Sequence, residues 1–437
     1  MMPNPTISEF PDEAASPNPG HITAVVGSNF SGRSRFLKTR AGLEHHGAFR
    51  RANHDDLSVY IRPEVDLSIS GLRPTTGAEV SYHLGENQQR EGISQLLRVA
   101  GLADRLEQNP TTLSGGEQSA LVFISKLGLN PSVLAVDCAL EQLHPTLKDQ
   151  LLTEAKRGEF SRTTFLLADN RLAECAVPMD ASLESPFQQM GGNDDEKQIP
   201  LAPLDSSVTL PLNVNPISIE LNELTFAYKR GNPVLRDISG KLTPGTIHVI
   251  RGRNGAGKST LAKLLCGVLR CPSGSIKCGG RAVMPYYEPG RITAYHFQFA
   301  DSQFVARTVG EDVASGPAAR GLAGTTLAAR VDAILAAFGL SALKEAEIFD
   351  LPYVLRKRVA IAATVATGAQ WMIFDEPTLG QDEQSCRSLA AILSQLTSLG
   401  IGVIAISHSR FFVGLLKGQE HYLEDGIFKP MPKEVKP

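Results

Sequence analysis

The sequence predicts an α/β protein composed of two related domains joined by a linker. The segment TAVVGSNFSGRSRFLKTR of the first half aligns without a gap to HVIRGRNGAGKSTLAKLL of the second. A later pair of segments, which end in LAVD and MIFD, aligns in the same way. Each half therefore repeats a strand, a glycine-rich loop, a helix, a variable middle, a second helix and a buried strand that ends in aspartate, which is an α/β plan.

This repeat sets the predicted domain boundaries. Residues 1–20 form an acidic, proline-rich N-terminal tail without the pattern of a signal peptide, and residues 21–177 form the first domain. Residues 178–216 are rich in Pro, Gly, Ser and Asp, which is typical of a linker. The second domain, 217–437, opens with alternating apolar and polar residues that predict antiparallel strands. The first half lacks such an opening, so we expect its domain to lack those strands.

The composition excludes some classes of protein. The 437 residues suffice for two to three domains, and 42% apolar with 20% charged residues is ordinary for a globular chain. A net charge of −3 carries no basic footprint for DNA or RNA, so we expect neither as a partner. Because no apolar run approaches ~20 residues, a role at a membrane would require a separate membrane subunit. The six cysteines include no Cys-x-x-Cys pair, which favours reduced thiols over a zinc site.

The second half contains a complete phosphate-binding loop, GRNGAGKS. In such a loop backbone N–H groups turn toward phosphate at a helix N-terminus. Lys258 would bring a positive charge to the β- and γ-phosphates, and Ser259 a hydroxyl to Mg²⁺. The sequence therefore predicts that the second half binds ATP and Mg²⁺ through Gly252, Asn254, Gly255, Gly257, Lys258, Ser259 and Thr260.

The hexapeptide LSGGEQ, residues 113–118, completes a set of motifs that resembles the ABC-type ATPases over nearly the whole chain outside the linker and termini. In that family two P-loop nucleotide-binding domains pair head to tail, so that each ATP lies between the phosphate loop of one domain and the signature of the other. The resemblance implies, for each half, a mainly parallel sheet flanked by helices plus a helical subdomain. It also implies that ATP on the second half contacts the first-half signature residues Ser114, Gly115, Gly116 and Gln118.

The resemblance implies catalytic roles in the second half. In WMIFDEPTLGQD, Asp375 would hold Mg²⁺ through water and Glu376 would polarise the attacking water. His408, in AISHS, would reach the γ-phosphate. The implied catalytic residues are thus Glu376, His408 and Lys258, and the implied metal-binding residues are Ser259, Asp375 and Gln298.

Three further second-half residues have implied contacts to the nucleotide. Gln298, in AYHFQ, would sense the metal and the partner domain, and Asp382 falls in the inter-domain loop of the family. Tyr228 stands where the family stacks an aromatic ring on adenine. From the residues alone, Tyr228 as a plain strand aromatic and Gln298 as a solvated loop residue stay open.

The first half lacks the matching chemistry. Arg33 replaces the loop lysine, and its wide guanidinium does not fit where an ammonium passes through the loop. Cys138 replaces the glutamate, and a neutral thiol, with a reference pKa of about 8.5, cannot polarise water as a carboxylate does. The segment LADNR is expected to put Asp169 at the histidine position, and His144 replaces the inter-domain aspartate. We expect the anion of Asp169 to repel a γ-phosphate.

The signatures show the opposite pattern. The second half reads LPYVLRK, in which Pro352 removes a backbone donor and Tyr353 adds bulk where the nucleotide would approach. The second-half loop and the first-half LSGGEQ thus form one complete composite site, and the remaining motifs form one degenerate site. Since one chain carries both halves, a monomer with intramolecular domain pairing is one arrangement, and a dimer stays open because the first half is truncated.

The segment YHFQFADSQFVARTVGEDV resembles the ATPases of energy-coupling-factor and cobalt-type importers, in which Asp301, Ser302 and Gln303 match an Asp-x-Gln step. The resemblance implies a separate integral membrane subunit and a peripheral position on the cytoplasmic face of the cell membrane. Three alternatives stay open: the ATPase of an ABC exporter, a soluble ABC ATPase that acts on ribosomes or nucleic acid, and a regulatory ATPase with little turnover.

Overall fold

The structure is a computed structural model. It describes residues 20–26, 33–40, 57–70, 73–84, 91–157, 160–170, 176–177, 179–184, 210–212, 214–228, 232–253, 255–282 and 292–430. These residues form three sheets, one in the first half of the chain and two in the second.

The first half forms a five-stranded sheet with helices packed against it. Its elements are β1 (Ile22–Val26), α1 (Arg33–Arg40), β2 (Ser58–Ile61), α2 (Thr76–Leu84), α3 (Glu91–Val99), α4 (Gly115–Leu127), β3 (Val133–Asp137), α5 (Pro145–Ala155), β4 (Thr164–Ala168) and β5 (Ala181–Glu184). The strand order is β2-β3-β4-β1-β5, and all its pairings are parallel. The central strands VLAVD and TFLLA are nearly continuous apolar runs, as expected for parallel strands covered on both faces.

The second half begins with an antiparallel sheet. Its first elements are β6 (Ile219–Phe226), β7 (Leu235–Leu242), β8 (Ile247–Arg251), α6 (Lys258–Leu265), β9 (Ser273–Cys278), β10 (Arg281–Ala282) and β11 (Thr293–His296). Four of these strands form the antiparallel sheet β10-β9-β6-β7. Within the described ranges only the second half contributes to this sheet, in agreement with the alternation that its opening segment shows.

The rest of the second half completes a six-stranded sheet. Its elements are α7 (Val309–Ala319), α8 (Gly324–Ala337), α9 (Tyr353–Ala366), β12 (Trp371–Asp375), α10 (Glu383–Ser398), β13 (Gly402–Ile406), α11 (Arg410–Leu416), β14 (Gln419–Glu424) and β15 (Ile427–Pro430). The strand order is β11-β12-β13-β8-β14-β15, parallel except for the final hairpin. Helices α7, α8 and α9, which follow β11 and precede β12 in sequence, pack against one another and form the expected helical subdomain. Among the described helices, none is both long and apolar enough to cross a membrane.

The predicted linker differs from the structure at both ends. Strand β5 lies within the predicted linker, yet it pairs in parallel with β1 at the edge of the first sheet. Leu210 and Leu212 are buried in the core of the second half. A four-residue strand and two isolated leucines are too short to give a periodic signal, so the sequence did not reveal them. The first sheet therefore extends to residue 184.

The two halves share one backbone geometry at the ends of the equivalent strands β3 and β12. Cys138 and Glu376 follow directly after β3 and β12, with φ of +53° and +44°. Each donates its backbone N–H to the neighbouring strand, Cys138 to Ala168 O at 2.7 Å and Glu376 to Ile406 O at 2.9 Å. A positive φ is uncommon for residues other than glycine. The same turn is therefore built twice, although only one copy carries a carboxylate.

Candidate nucleotide site

A cleft of about 700 Å³ lies between the two halves, where the N-terminus of α4 faces the N-terminus of α6. Its volume is in the range of sites for small-molecule ligands. Most of the predicted site residues line it: Ser114, Gly115, Gly116, Gln118, Tyr228, Gly255, Gly257, Lys258, Ser259, Thr260, Gln298, Asp375, Glu376 and His408. The structure thus brings the first-half signature and the second-half phosphate loop to one place.

Two predicted residues of the phosphate loop are not among the lining residues. Asn254 lies outside the described residues. Gly252 lies at the base of the loop, where a Cβ would come 2.1 Å from the backbone oxygen of Leu423. Its contribution is therefore to let the loop pass close to β14.

The inter-domain loops are exchanged between the two composite sites. Asp382 caps the N-terminus of α10, does not line the cleft, and lies within electrostatic reach of Arg33 in the first half. At the cleft itself the corresponding residue comes from the first half, because the His144 ring lies 5.9 Å from the His408 ring in an edge-on arrangement. The loop that contains His144 in the first half therefore lies beside His408 of the second, and the loop that contains Asp382 in the second half lies near Arg33 of the first.

Lys258 begins α6 and is nearly fully buried. Its Nζ donates to the backbone oxygens of Gly252 at 2.9 Å and Arg253 at 3.0 Å. Burial lowers the pKa of the Lys258 ammonium, and the carboxylates of Glu376 and Asp375 oppose this change. A cation at a helix N-terminus with few competing partners is suited to phosphate.

The signature lies so close to two glutamine side chains that any side chain at residue 115 would force them to move. A Cβ on Gly115 would lie 2.2 Å from Nε2 of Gln298 and 2.5 Å from Oε1 of Gln142. These two glutamines join the halves directly, with Nε2 of Gln298 donating to Oε1 of Gln142 at 2.8 Å. Beside them, Ser114 is the N-cap of α4 and lines the cleft, so its hydroxyl lies at a helix N-terminus that faces the second half. A helix N-terminus that carries a hydroxyl is suited to phosphate oxygens.

The catalytic candidates lie together at the floor of the cleft. The Glu376 carboxylate lies 3.7 Å from Nε2 of His408 and accepts the His408 backbone N–H at 3.4 Å. Tyr295 donates its hydroxyl to Oδ2 of Asp375 at 2.7 Å, which fixes that carboxylate. A buried glutamate held beside a histidine can accept a proton from a water molecule.

The predicted metal-binding residues and the aromatic residue also reach the cleft. Ser259, Asp375 and Gln298 all line it, and hydroxyl, carboxylate and amide oxygens are the ligands that Mg²⁺ prefers. Tyr228 is 59% exposed at the rim, and its hydroxyl lies 3.2 Å from Oγ1 of Thr260. An exposed ring at this position is available for stacking on a base.

Several lining or adjacent residues were missed from the sequence. Gln142 aligns with Gly380 in the other half, so the repeat gave no signal for it. Arg105 and Glu117 form a 2.9 Å ion pair beside the loop glycine Gly255. Glu117 also accepts the Ser114 backbone N–H at 2.9 Å, a capping contact that the spacing of LSGGEQ could have indicated.

The opposite interface is filled by side chains. Tyr353 begins α9 as Gly115 begins α4, and it is buried against Gly380, where a Cβ would lie 3.1 Å from the ring. Glu141 clamps this region, since its carboxylate accepts the backbone N–H of Asn170 in its own half and of Gly380 in the other, each at 2.7 Å. Arg33 donates to Oδ1 of Asn170 at 2.8 Å.

The expected equivalence of Asp169 and His408 is wrong by one residue. Asp137 pairs with Ala168 just as Asp375 pairs with Ile406, so Asn170 corresponds to His408. Asp169 is instead buried in an ion pair with Lys148 at 2.6 Å. The expected repulsion of phosphate by Asp169 is therefore offset by an adjacent cation, which the linear alignment could not show.

Arg356 forms an ionic bridge between the halves. Its guanidinium binds Glu64 of the first half and Asp301 of the second, the latter at 2.8 Å. All three side chains are about nine-tenths buried. Arg356 belongs to LPYVLRK, so the second-half signature forms an intramolecular contact between the two halves.

Comparisons with known proteins identify the relatives of this chain. A family model described as ABC transporter matches residues 14–141 and 235–379. A putative ABC transporter ATP-binding protein of Clostridium tetani is 26% identical over 373 residues, covering 76% of this chain and 85% of that protein. The energy-coupling factor transporter ATP-binding protein EcfA1 of Thermotoga maritima is 33% identical over 192 residues, covering 44% of this chain and 73% of that protein. Among solved structures, cbiO1 of Clostridium perfringens has a TM-score of 0.46 and 28% identity over 51% of this chain and 91% of that one.

Replacing Arg356 by methionine is expected to lower the free energy of unfolding by about 3 kcal/mol, because two buried carboxylates lose their cation. Urea denaturation followed by the fluorescence of Trp371, the single tryptophan, measures this change. Arg387→Met is the control, since Arg387 and Glu383 form an exposed 3.9 Å pair and a change within about 0.5 kcal/mol is expected. Equal midpoints for the two variants would contradict a stabilising bridge.

Proposed function

The chain belongs to the ABC transporter family, and from this premise we propose that it is the ATP-hydrolysing subunit of a transporter with one competent composite site. The competent site combines the second-half phosphate loop with the first-half signature. The observation that carries the proposal is that residues of both motifs line one cleft. The opposite interface is the degenerate one, because Arg33, Cys138 and Tyr353 occupy the positions where nucleotide chemistry would be needed.

We propose that ATP binds with its phosphates between α6 and α4. Lys258 would exchange its two carbonyl contacts for the β- and γ-phosphates, and the N-terminus of α6 adds the favourable end of a helix dipole. Ser114, Gly115 and Gly116 would cap the γ-phosphate from the first half. The position of Ser114 at the N-terminus of α4, on the cleft, supports this assignment, since its hydroxyl can donate to a phosphate oxygen.

Hydrolysis then depends on Glu376 and its neighbours. Glu376 would orient the attacking water and accept its proton, while His408 holds the carboxylate and stabilises charge that develops on the γ-phosphate. Mg²⁺, when bound, supplies charge neutralisation at the phosphate oxygens. We assign Ser259, Asp375 and Gln298 to hold it, and Tyr295 to keep the Asp375 carboxylate oriented.

The first half would contribute binding surface and no hydrolysis of its own. Burial raises the pKa of the Cys138 thiol, and the nearby Glu141 carboxylate raises it further. Cys138 therefore stays protonated at neutral pH and cannot activate water. Tyr353 supports the same conclusion, because it begins α9 where the first-half signature has a glycine, and its ring packs against Gly380.

We propose that the chain works with an integral membrane subunit of the energy-coupling-factor type, on the cytoplasmic face of the cell membrane. The segment from Tyr295 to Val313 with its Asp-x-Gln step supports this, as does the similarity to EcfA1. We further propose that the two halves pair within one chain. The domain limits adopted are 21–184 for the degenerate domain and 210–437 for the catalytic domain, as suggested by β5 and by the buried Leu210.

Glu376→Gln is expected to lower kcat for ATP hydrolysis by ~10²–10⁴ while ATP binding persists, because an amide cannot accept the proton of water. Steady-state phosphate release and equilibrium binding of a fluorescent nucleotide measure the two properties. Cys138→Ser is the matched control at the same turn of the first half, and its rate should stay within about twofold. A Glu376→Gln protein that hydrolyses ATP normally would refute the proposed mechanism.

Ser114→Arg should reduce hydrolysis as severely as Glu376→Gln, although Ser114 lies in the other half. The reason is steric and electrostatic, since a long cation would replace a small hydroxyl that faces the phosphates. Arg33→Ala in the degenerate loop should change the rate little. If Arg33→Ala instead abolished turnover and Ser114→Arg did not, the assignment of the two composite sites would be reversed.

The proposed association with an integral membrane subunit can be tested by purification. The tagged chain is purified from gently detergent-solubilised host membranes in the presence of ATP. A polytopic membrane protein in stoichiometric amount is the expected companion, and an accompanying substrate-binding subunit would identify the cargo. Recovery from the supernatant alone, together with ribosomes or nucleic acid, would overturn the transport proposal and leave the ATPase site unaffected.

A further inference from the structure

Lys357 is a buried cation that the mechanism above does not use. It lies in the second turn of α9 and has no solvent-exposed surface. Its Nζ donates to the backbone oxygen of Gln298 at 2.6 Å. The charged groups that act on it are the carboxylates of Glu376, Asp375, Glu141 and Asp301.

A fully buried ammonium is costly unless it is paired and hydrogen-bonded. Here the cost is offset by the carbonyl of Gln298 and by the two carboxylates at the end of β12. His296, also buried, faces the same cation, and burial lowers the pKa of its imidazole so that it adds no second positive charge. Lys357 is therefore, besides Lys258, a positive partner of the carboxylates at the end of β12.

The contact to Gln298 leads directly to the first half. The backbone of Gln298 is held by Lys357, while its side chain donates to Gln142 and lies against Gly115. One chain of contacts thus runs from α9 through Gln298 to the signature. Because the signature meets the second half at this point, the position of Gln298 decides how the two halves fit together.

The first half supplies an internal comparison. Ser119 stands where Lys357 stands in the repeat, and it is buried without charge. In the same half Cys138 replaces Glu376, so the strand end carries one carboxylate instead of two. Lys357 thus occurs in the half that has Glu376 as a second carboxylate, and the half without that carboxylate has no lysine at the equivalent position.

We propose that Lys357 is a positioning residue for ATP hydrolysis, which holds Gln298 against the first-half signature and balances the charge of Asp375 and Glu376. This inference rests on the proposed function of the cleft. It assigns Lys357 no contact with ATP, so its loss should affect the catalytic step more than nucleotide binding.

The test uses the full chain with Lys357→Met, Lys357→Arg and the control Lys241→Met, whose lysine forms a half-exposed pair with Glu220. We expect Lys357→Met to lower kcat by about tenfold, as for a displaced catalytic group, with the equilibrium Kd for MgATP within about threefold of the parent. Lys357→Arg keeps the charge and should recover most of the rate. Lys357→Met should cause a smaller loss in the Gln298→Ala background than in the parent, because the part of its effect that passes through the Gln298 side chain is already absent.

Three results would overturn the proposal. The first is a kcat of Lys357→Met equal to that of the parent, and the second is full additivity with Gln298→Ala. The third is that Lys357→Met and Lys357→Arg lose the same amount of kcat and the same amount of stability to urea. If Lys357→Met does not fold, Lys357→Gln replaces it, since its amide can still donate to the carbonyl without a charge, and a kcat loss of several-fold is expected. The parent and Glu376→Gln proteins are measured in parallel. If the parent does not hydrolyse ATP, the proposed function fails; if it does and Lys357→Met matches it, only this inference fails.

Discussion

The structure depends on the close contact of the α4 backbone, at Gly115, with two glutamine side chains that join the halves. Any side chain at Gly115 would collide with the glutamine pair that joins the halves. Glycine is the residue that permits such an approach, and its conformational cost is repaid by contacts between the halves. At the start of α9 the same position holds Tyr353, whose ring packs against protein. The difference between the two interfaces can therefore be traced to which residue begins each signature helix.

Much of this arrangement could be predicted from the sequence. The repeat, the phosphate loop, the two unequal signatures and the antiparallel opening of the second half all have local patterns, because loops and strand ends demand particular residues. The pairing of the second-half loop with the first-half signature followed from the family resemblance, and the lining of the cleft agrees with it. Features that depend on residues within one motif could therefore be predicted from the sequence.

Contacts between distant segments were not. Arg356 and Glu64 are separated by 292 residues, and nothing near either one indicates the other. The placement of Asp169 depended on strand register, which a linear alignment of two diverged halves does not determine. Its ion pair with Lys148 likewise appears only when α5 is packed beside β4. Strand β5 escaped detection because its partner strand, rather than its own sequence, holds it in the sheet.

The tyrosine at the start of α9 also restricts which molecules can pair. Two copies of the catalytic half would each offer the other a proline and a tyrosine where a phosphate-binding signature is needed. If the halves pair within one chain as proposed, their covalent linkage raises the effective concentration of the intact signature at the phosphate loop. Under the proposed pairing within one chain, each chain would provide one competent ATP site, and a second chain would add another site of the same kind.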